Sequence, residues 1–188
     1  MGFQICQDEA ADKVLDDHAF ALLAGMMLDQ QYPMEHAFRG PAKVLDRFGT
    51  LETSAVASAD PESFKEMASV PPAIHRFPGS MAARFQELAR IIEETYDGDA
   101  SKLWNEAADA RDLFKRVQAL PGFGKQKAQI FVALLAKQVG VRPEGWEKLV
   151  GDYALEGYRS VADVVDGDSL QKVRDFKKAK KAAAKAQA

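Results

Sequence analysis

Two glycines, Gly122 and Gly124, stand between two segments with helical periodicity, and this arrangement constrains the fold more than any other feature. Apolar residues recur at helical spacing in residues 109–117 before the glycines and in residues 125–138 after them. Glycine accepts positive φ and leaves the backbone open to close approach. Residues 120–128, Leu-Pro-Gly-Phe-Gly-Lys-Gln-Lys-Ala, therefore predict a tight hairpin between two packed helices.

The rest of the chain also has the pattern of helices, and no segment shows the alternation typical of a strand. Proline and glycine place the boundaries, because proline disrupts a helix interior and helices commonly end at glycine. We predict helices from Asp12 to Pro33, from Pro41 to Gly49, from Pro61 to Met67, over 146–150, and from about Asp168 onward. Asp60 is the predicted cap of the helix that begins at Pro61. A further helix follows Phe77-Pro78 and has Met81, Phe85, Leu88 and Ile92 on one face. The predicted class is all-α, with two helical lobes that share a cleft.

The composition is that of a globular protein, with 47% hydrophobic and 28% charged residues in a chain of 188. No apolar run reaches the roughly 20 residues that a membrane-spanning helix needs, so no membrane partner is expected. The first residues lack the basic and apolar regions of an export signal. The single cysteine, Cys6, excludes an intramolecular disulfide and an iron–sulfur cluster ligated by cysteines of this chain alone. We therefore expect a cytoplasmic protein.

Charge is divided unevenly along the chain, whose formal net charge is −3. Residues 171–188 contain seven lysines and arginines against one acid, Asp175, and so carry +6, which leaves −9 on residues 1–170. We divide the chain accordingly into a helical domain, 1–170, and a basic Lys/Ala-rich tail, 171–188. An acidic body still binds a polyanion where basic groups and backbone amides gather on one face.

The predicted hairpin has the properties of a phosphate site. The amides in the first turn of the helix after Gly124 have no intrahelical partners, and the helix dipole favours an anion at that end. Gly122 and Gly124 would let a phosphate approach the backbone, Phe123 lies between them, and Lys125 and Lys127 would add salt-dependent attraction. The hairpin therefore predicts DNA backbone binding without sequence readout.

Residues 120–130 resemble the helix-hairpin-helix of the HhH-GPD superfamily of base-excision DNA glycosylases, which carry Leu-Pro-Gly, an apolar residue, Gly and a later Ala. The segment Leu28-Asp29-Gln30-Gln31 is similar to the Leu-x-Gln-Gln segment near the DNA in those enzymes, and the separation of the two strings suits the family. The whole sequence, including residues 141–146, resembles an actinobacterial group of HhH-GPD proteins. The resemblance implies a monomer that binds double-stranded DNA in the nucleoid.

The resemblance also implies roles for particular residues. The backbone carbonyls of Gln118, Leu120 and Phe123 would hold a monovalent cation, K⁺ or Na⁺, that bridges to a DNA phosphate. Gln30 or Gln31 would enter the duplex or fill the gap left by an extruded nucleotide, although a solvated helix end would explain them equally simply. No other cofactor is expected, and the isolated histidines show no metal-ligand spacing.

Two departures from the family pattern concern the chemistry. Gln126 occupies the position of the Schiff-base lysine of bifunctional members, and a carboxamide cannot form the imine, so no β-lyase activity is expected at this position. The window of the family's catalytic aspartate contains Glu144 but no aspartate. Glu144, Asp29 and Asp152 are therefore the three candidate catalytic carboxylates, each with the simpler interpretation of a surface or capping acid.

Three functions remain open on the sequence. The first is a monofunctional DNA glycosylase that hydrolyses the N-glycosidic bond of a damaged or mispaired base. The second is a DNA-binding protein that keeps the hairpin but has lost the chemistry, which the missing lysine and aspartate favour. The third is a helical interaction module without a nucleic-acid role.

Overall fold

The structure, a computed structural model, describes residues 2–187, and in this range the chain consists of helices and connecting loops. The α-helices are α1 (Glu9–Asp17), α2 (Ala19–Leu28), α3 (Met34–Phe48), α4 (Thr53–Ser58), α5 (Pro61–Ser69), α6 (Pro78–Tyr96), α7 (Ser101–Asn105), α8 (Ala110–Gln118), α9 (Lys125–Leu134), α10 (Trp146–Val150) and α11 (Gly167–Ala186). A π-helical turn, Leu135–Val139, extends α9, and 3₁₀ turns lie at Gly151–Ala154 and Val161–Asp163. The all-α prediction is confirmed. Within the described range, no helix combines the length and apolar character needed to cross a membrane.

The single helix predicted between Asp12 and Pro33 is wrong, because the chain divides at His18 into α1 and α2. His18 has extended backbone angles (φ −131°, ψ 108°) and its N–H donates to the Val14 carbonyl, which ends α1. The two helices have different surroundings: α1 buries one face, whereas α2 is buried along its length from Phe20 to Leu28. Burial on all sides requires α2 to leave the direction of α1 and enter the core.

The helix predicted to begin at Pro41 instead begins at Met34, so Pro41 lies inside α3. A proline in a helix interior removes a backbone hydrogen bond at a cost of about 3 kcal/mol. Tertiary packing outweighs this cost, because Pro41 and its neighbours are buried. A side chain at Gly40 would overlap a methyl group of Leu28, which shows how closely α3 approaches α2.

Other sequence predictions are confirmed. Asp60 caps α5 by accepting a hydrogen bond from the Ser63 N–H (3.0 Å), and Pro61 is its first residue. The predicted face of α6 is buried, from Met81 to Ile92. Helices α1 to α6 contact one another, α8 to α10 form a second group, and one continuous hydrophobic cluster joins them.

The basic tail is the distal part of a docked helix, as the helix predicted from about Asp168 onward indicated. Helix α11 begins at Gly167, after a cap in which Asp166 accepts from the Ser169 N–H (2.7 Å), and it buries Leu170 and Val173. The boundary predicted between residues 170 and 171 therefore falls inside α11. Arg174 pairs with the buried Glu35 of α3, whereas residues 177–187 are all exposed.

Candidate functional site

The hairpin predicted between α8 and α9 is present as a tight turn. The Phe123 N–H donates to the Leu120 carbonyl (3.1 Å), and Gly122 has φ +80°, a conformation that favours glycine. Gly124 has φ −89°, so its backbone does not use the positive φ that a glycine allows. A Cβ at Gly124 would meet no heavy atom within 4 Å. Gly124 therefore leaves open space in front of the backbone rather than permitting an unusual turn.

This open space adjoins the unpaired amides of α9. Gly124 is the N-cap residue and has no side chain to accept from them, and the first amide bonded back into the helix is that of Ala128, which donates to the Gly124 carbonyl (3.0 Å). Lys125 and Gln126 are exposed, whereas Phe123 is buried against Phe131. Phe123 is thus available to a ligand only through its main chain, and the site consists of amides, open space and lysine.

The hairpin faces a cleft of about 850 Å³, bounded by the end of α2, the first turn of α9, the 3₁₀ turn near Tyr153 and the distal half of α11. The cleft is lined by eight residues that the sequence singled out: Asp29, Gln30, Gln31, Gly122, Gly124, Lys125, Gln126 and Lys127. These come from two strings far apart in the chain. The packing of α2 near α9 therefore produces one site from the two motifs.

The cleft is strongly basic in an acidic protein. Among the described residues that line it, one is a carboxylate, Asp29, and six are basic: Lys125, Lys127, Arg159, Lys177, Lys180 and Lys181. The formal charge of the whole chain is −3. Such concentration of cations against the overall charge is typical of a site for a polyanion.

Asp29 is the carboxylate inside the cleft. It caps the end of α2, where its N–H donates to the Met26 carbonyl (3.2 Å), and its side chain is half-buried. Removal from water raises the pKa of Asp29, and the positive charges of Lys177 and Lys127 oppose this rise. A desolvated carboxylate between cations is suited to stabilise a developing positive centre or to accept a proton from water.

Lys127 points into the cleft and joins the two motifs. Its Nζ donates to the carbonyl of Met27 (2.7 Å), which ties α9 to the end of α2. Burial lowers the pKa of Lys127 to about 8, although the nearby Asp29 opposes this shift. Lys125, two residues earlier, is exposed and free of this contact. The two lysines therefore differ: Lys127 fixes the geometry of the cleft, and Lys125 faces an approaching ligand.

Two residues that the sequence did not predict hold Gln30. The Phe77 N–H donates to Nδ1 of His75 (2.9 Å), so His75 carries its proton on Nε2 and donates it to the Gln30 carbonyl (2.9 Å). Arg84 donates to the side-chain oxygen of Gln30 (3.1 Å) and lies against Gly122. The next residue, Gln31, has a left-handed backbone conformation with φ +54°. The contacts of His75 and Arg84 with Gln30 are long-range, and no sequence motif marked either residue.

We predict that His75 makes folding stability depend on pH. Burial lowers its pKa below the ordinary 6.5. As the pH falls, the unfolded chain therefore takes up a proton at this histidine before the folded chain does. The stability that is present above pH 6.5 is lost as the pH falls through the folded-state pKa of His75, by up to about 1.4 kcal/mol per pH unit. Urea unfolding across this range should show a shallower fall for His75→Gln, whose amide can still donate to Gln30. Identical slopes for wild type and His75→Gln would contradict the prediction.

The other two candidate carboxylates lie outside the cleft lining. Glu144 and Asp152 are both exposed. The residue after Asp152 lines the cleft instead: the hydroxyl of Tyr153 accepts a hydrogen bond from the side-chain amide of Gln126 (2.9 Å). Trp146 is buried in the core. Of the three predicted carboxylates, the structure brings Asp29 alone to the hairpin.

The carbonyls proposed for a monovalent cation are at the turn itself. The Leu120 carbonyl accepts the Phe123 N–H and keeps one lone pair for a ligand. Backbone carbonyls are the kind of ligand that K⁺ or Na⁺ takes, and those of Gln118, Leu120 and Phe123 would be the ones to hold such a cation. In residues 2–187 no group of three His, Cys, Asp or Glu side chains could hold a metal ion.

Comparison with protein-family models, with curated proteins and with solved structures gives no match for this chain. The function proposed below therefore depends on the residues of the cleft.

Proposed function

We propose that this protein binds DNA through the hairpin and the cleft, and that it is a monofunctional, HhH-GPD-like DNA glycosylase that hydrolyses the N-glycosidic bond of a damaged or mispaired base. One observation carries the proposal: the free amides of α9 and six basic side chains share one cleft with Asp29, which is the carboxylate among the described residues that line it.

In the proposed reaction, the α9 amides and Lys125 hold a backbone phosphate, and an extruded nucleotide enters the cleft. The bond between C1′ and the base breaks with its electron pair going to the base, which takes up a proton from the solvent. Asp29 stabilises the positive charge that develops on the sugar and accepts a proton from the water that attacks C1′. Burial raises the pKa of Asp29, and the cations Lys177 and Lys127 oppose this rise and so favour the ionised form that the role requires.

The side chain at the position of the family's lyase nucleophile is consistent with hydrolysis alone. Gln126 is an amide engaged with the Tyr153 hydroxyl, and an amide nitrogen forms no imine with a sugar aldehyde. The expected product is therefore an intact strand with an abasic site, rather than a strand cleaved by β-elimination at this residue.

A second candidate is a DNA-binding protein without glycosylase activity. It is favoured by Glu144, which lies in the window of the family's catalytic aspartate but is exposed and outside the cleft. In this alternative, Asp29 is a helix-capping acid and the cleft binds the DNA backbone only.

Two measurements test these proposals in order. Fluorescence anisotropy with a labelled duplex should show binding that weakens with salt, by about 0.9 in log K per log salt for each phosphate contact. Undetectable binding at low salt would contradict DNA binding and would favour the third function, a helical interaction module without a nucleic-acid role. Duplexes with single lesions (uracil, alkylated purines or oxidised bases), followed by alkaline cleavage, should then reveal abasic sites. Binding without a product from any lesion would favour the non-catalytic protein.

A further inference from the structure

The distal half of α11 forms the wall of the cleft opposite the hairpin. Phe176, Lys177, Lys180 and Lys181 of this helix line the cleft, while Lys178 and Lys185 do not. The base of the helix is held in place, because Val173 is buried and Arg174 pairs with Glu35. From Lys177 onward the helix is exposed. The three cleft-facing lysines therefore face the same space as the amides of α9.

Aromatic rings lie between these cations. Tyr32, Tyr153 and Phe176 line the cleft and are each half-buried, so part of each ring remains accessible. Lys180 lies over the ring of Tyr153 at 5.5 Å, and Arg159 lies over Phe176 at the same distance. Lysines that track a backbone, interleaved with rings that stack on bases, are the features of a single-strand site.

The width of the cleft favours a strand over a duplex. Gln126 of α9 contacts the Tyr153 hydroxyl at 2.9 Å, and Lys180 of α11 lies over the ring of the same tyrosine. One tyrosine side chain thus bridges α9 and α11. A double helix is much wider, since its major groove alone is about 12 Å across. Because one tyrosine side chain spans the distance between α9 and α11 at this point, the gap there is narrower than a duplex, and the half-buried rings are accessible to an unpaired base.

We propose that the cleft between α9 and α11 takes unpaired, single-stranded DNA in preference to duplex, with α11 supplying phosphate contacts on the side opposite the hairpin. This inference rests on the proposed DNA-binding function and specifies its substrate as a base in an unpaired stretch. Duplex DNA then reaches only the outer face of the hairpin and binds more weakly.

The experiment compares labelled oligothymidylate with a duplex of the same length in anisotropy titrations at several salt concentrations. The wild-type chain should bind the single strand at least about tenfold more tightly, because stacking and additional phosphate contacts are both available to it. The double variant Lys177→Gln/Lys181→Gln should weaken single-strand binding and lower its salt slope by about 1.4, since each lost contact contributes roughly 0.7. The matched control, Lys178→Gln/Lys185→Gln, removes the same charge from the same helix away from the cleft and should change the slope little.

The ring of Tyr153 is tested separately. Tyr153→Leu should weaken single-strand binding at least about fivefold, while Tyr153→Phe, which keeps the ring and loses the hydroxyl, should bind nearly as the wild type does. Equal affinity for duplex and single strand, or equal losses in the two lysine pairs, would overturn this inference while leaving the proposed DNA binding in place. No binding to either oligonucleotide would overturn both.

Discussion

Replacement of Asp29 by asparagine should reduce base excision by about 10²–10⁴-fold, the usual contribution of a positioned acid–base group, while DNA affinity is retained or increased. The carboxylate is the one negative charge among the described residues that line the cleft, so its removal strengthens the attraction for a phosphate backbone. The variant separates catalysis from binding. Single-turnover excision assays and anisotropy titrations on the same preparation measure the two effects.

Folding stability provides the control for Asp29→Asn. The pKa of Asp29 is raised in the folded state. The favourable contribution of this carboxyl group to the free energy of unfolding is therefore present at acid pH and is lost as the pH rises through the folded-state pKa. At neutral pH, asparagine should therefore leave the free energy of unfolding unchanged or increase it. Glu144→Gln and Asp152→Asn, which lie outside the cleft lining, should keep full activity. Full base excision by Asp29→Asn would contradict the assignment, and so would a loss of base excision in Glu144→Gln or Asp152→Asn.

Replacement of Gly124 by alanine should weaken DNA binding by about tenfold to a hundredfold, the effect of losing one hydrogen bond to a charged group. The backbone at Gly124 has φ −89°, which alanine adopts readily, and the added Cβ meets no protein atom within 4 Å. The methyl group would instead occupy the space through which a phosphate reaches the α9 amides. The fold should be unaffected, so thermal unfolding should match that of the wild type.

The salt dependence identifies the mechanism of this loss. Gly124→Ala removes no cation, so the slope of log K against log salt should be unchanged while the affinity falls at every salt concentration. Gly79→Ala is the control, because Gly79 lies in the first turn of α6, away from the cleft, and its Cβ would meet only the flexible end of Lys65. Unaltered DNA affinity in Gly124→Ala would mean that no phosphate approaches this turn.

The hairpin could be predicted because its determinants are local. Gly122 lies in the turn with positive φ, and the helices on either side follow the periodicity of the apolar residues. Gly124 was expected to allow positive φ and to leave space at the backbone. In the structure its φ is −89°, and the open space around it is the property that distinguishes this glycine. At Pro41 a prediction from local sequence fails, because burial of α3 outweighs the unfavourable position of a proline in the helix interior.

The cleft could be predicted only in part. Asp29 and the two glutamines were candidates from one string and the hairpin from another, but their proximity depends on the contact of Lys127 with the Met27 carbonyl, which joins residues 100 positions apart. Sequence offset from the hairpin indicated Glu144 as a carboxylate equally well. The contacts of His75 and Arg84 with Gln30 had no signal in the sequence, because neither residue belongs to a motif.

The amino-acid sequence by itself determined the all-α class, the hairpin turn and the uneven distribution of charge, since these depend on hydrogen bonds within a turn, on the conformational range of glycine and on composition. The tertiary structure alone decided which carboxylate faces the hairpin and where the basic tail lies. Asp29 enters the cleft because α2 is buried in the core, and the lysines of α11 face it because Leu170, Val173 and the Arg174–Glu35 pair fix the direction of that helix. Such contacts join distant segments, and their energy depends on the complete packed core rather than on any short string.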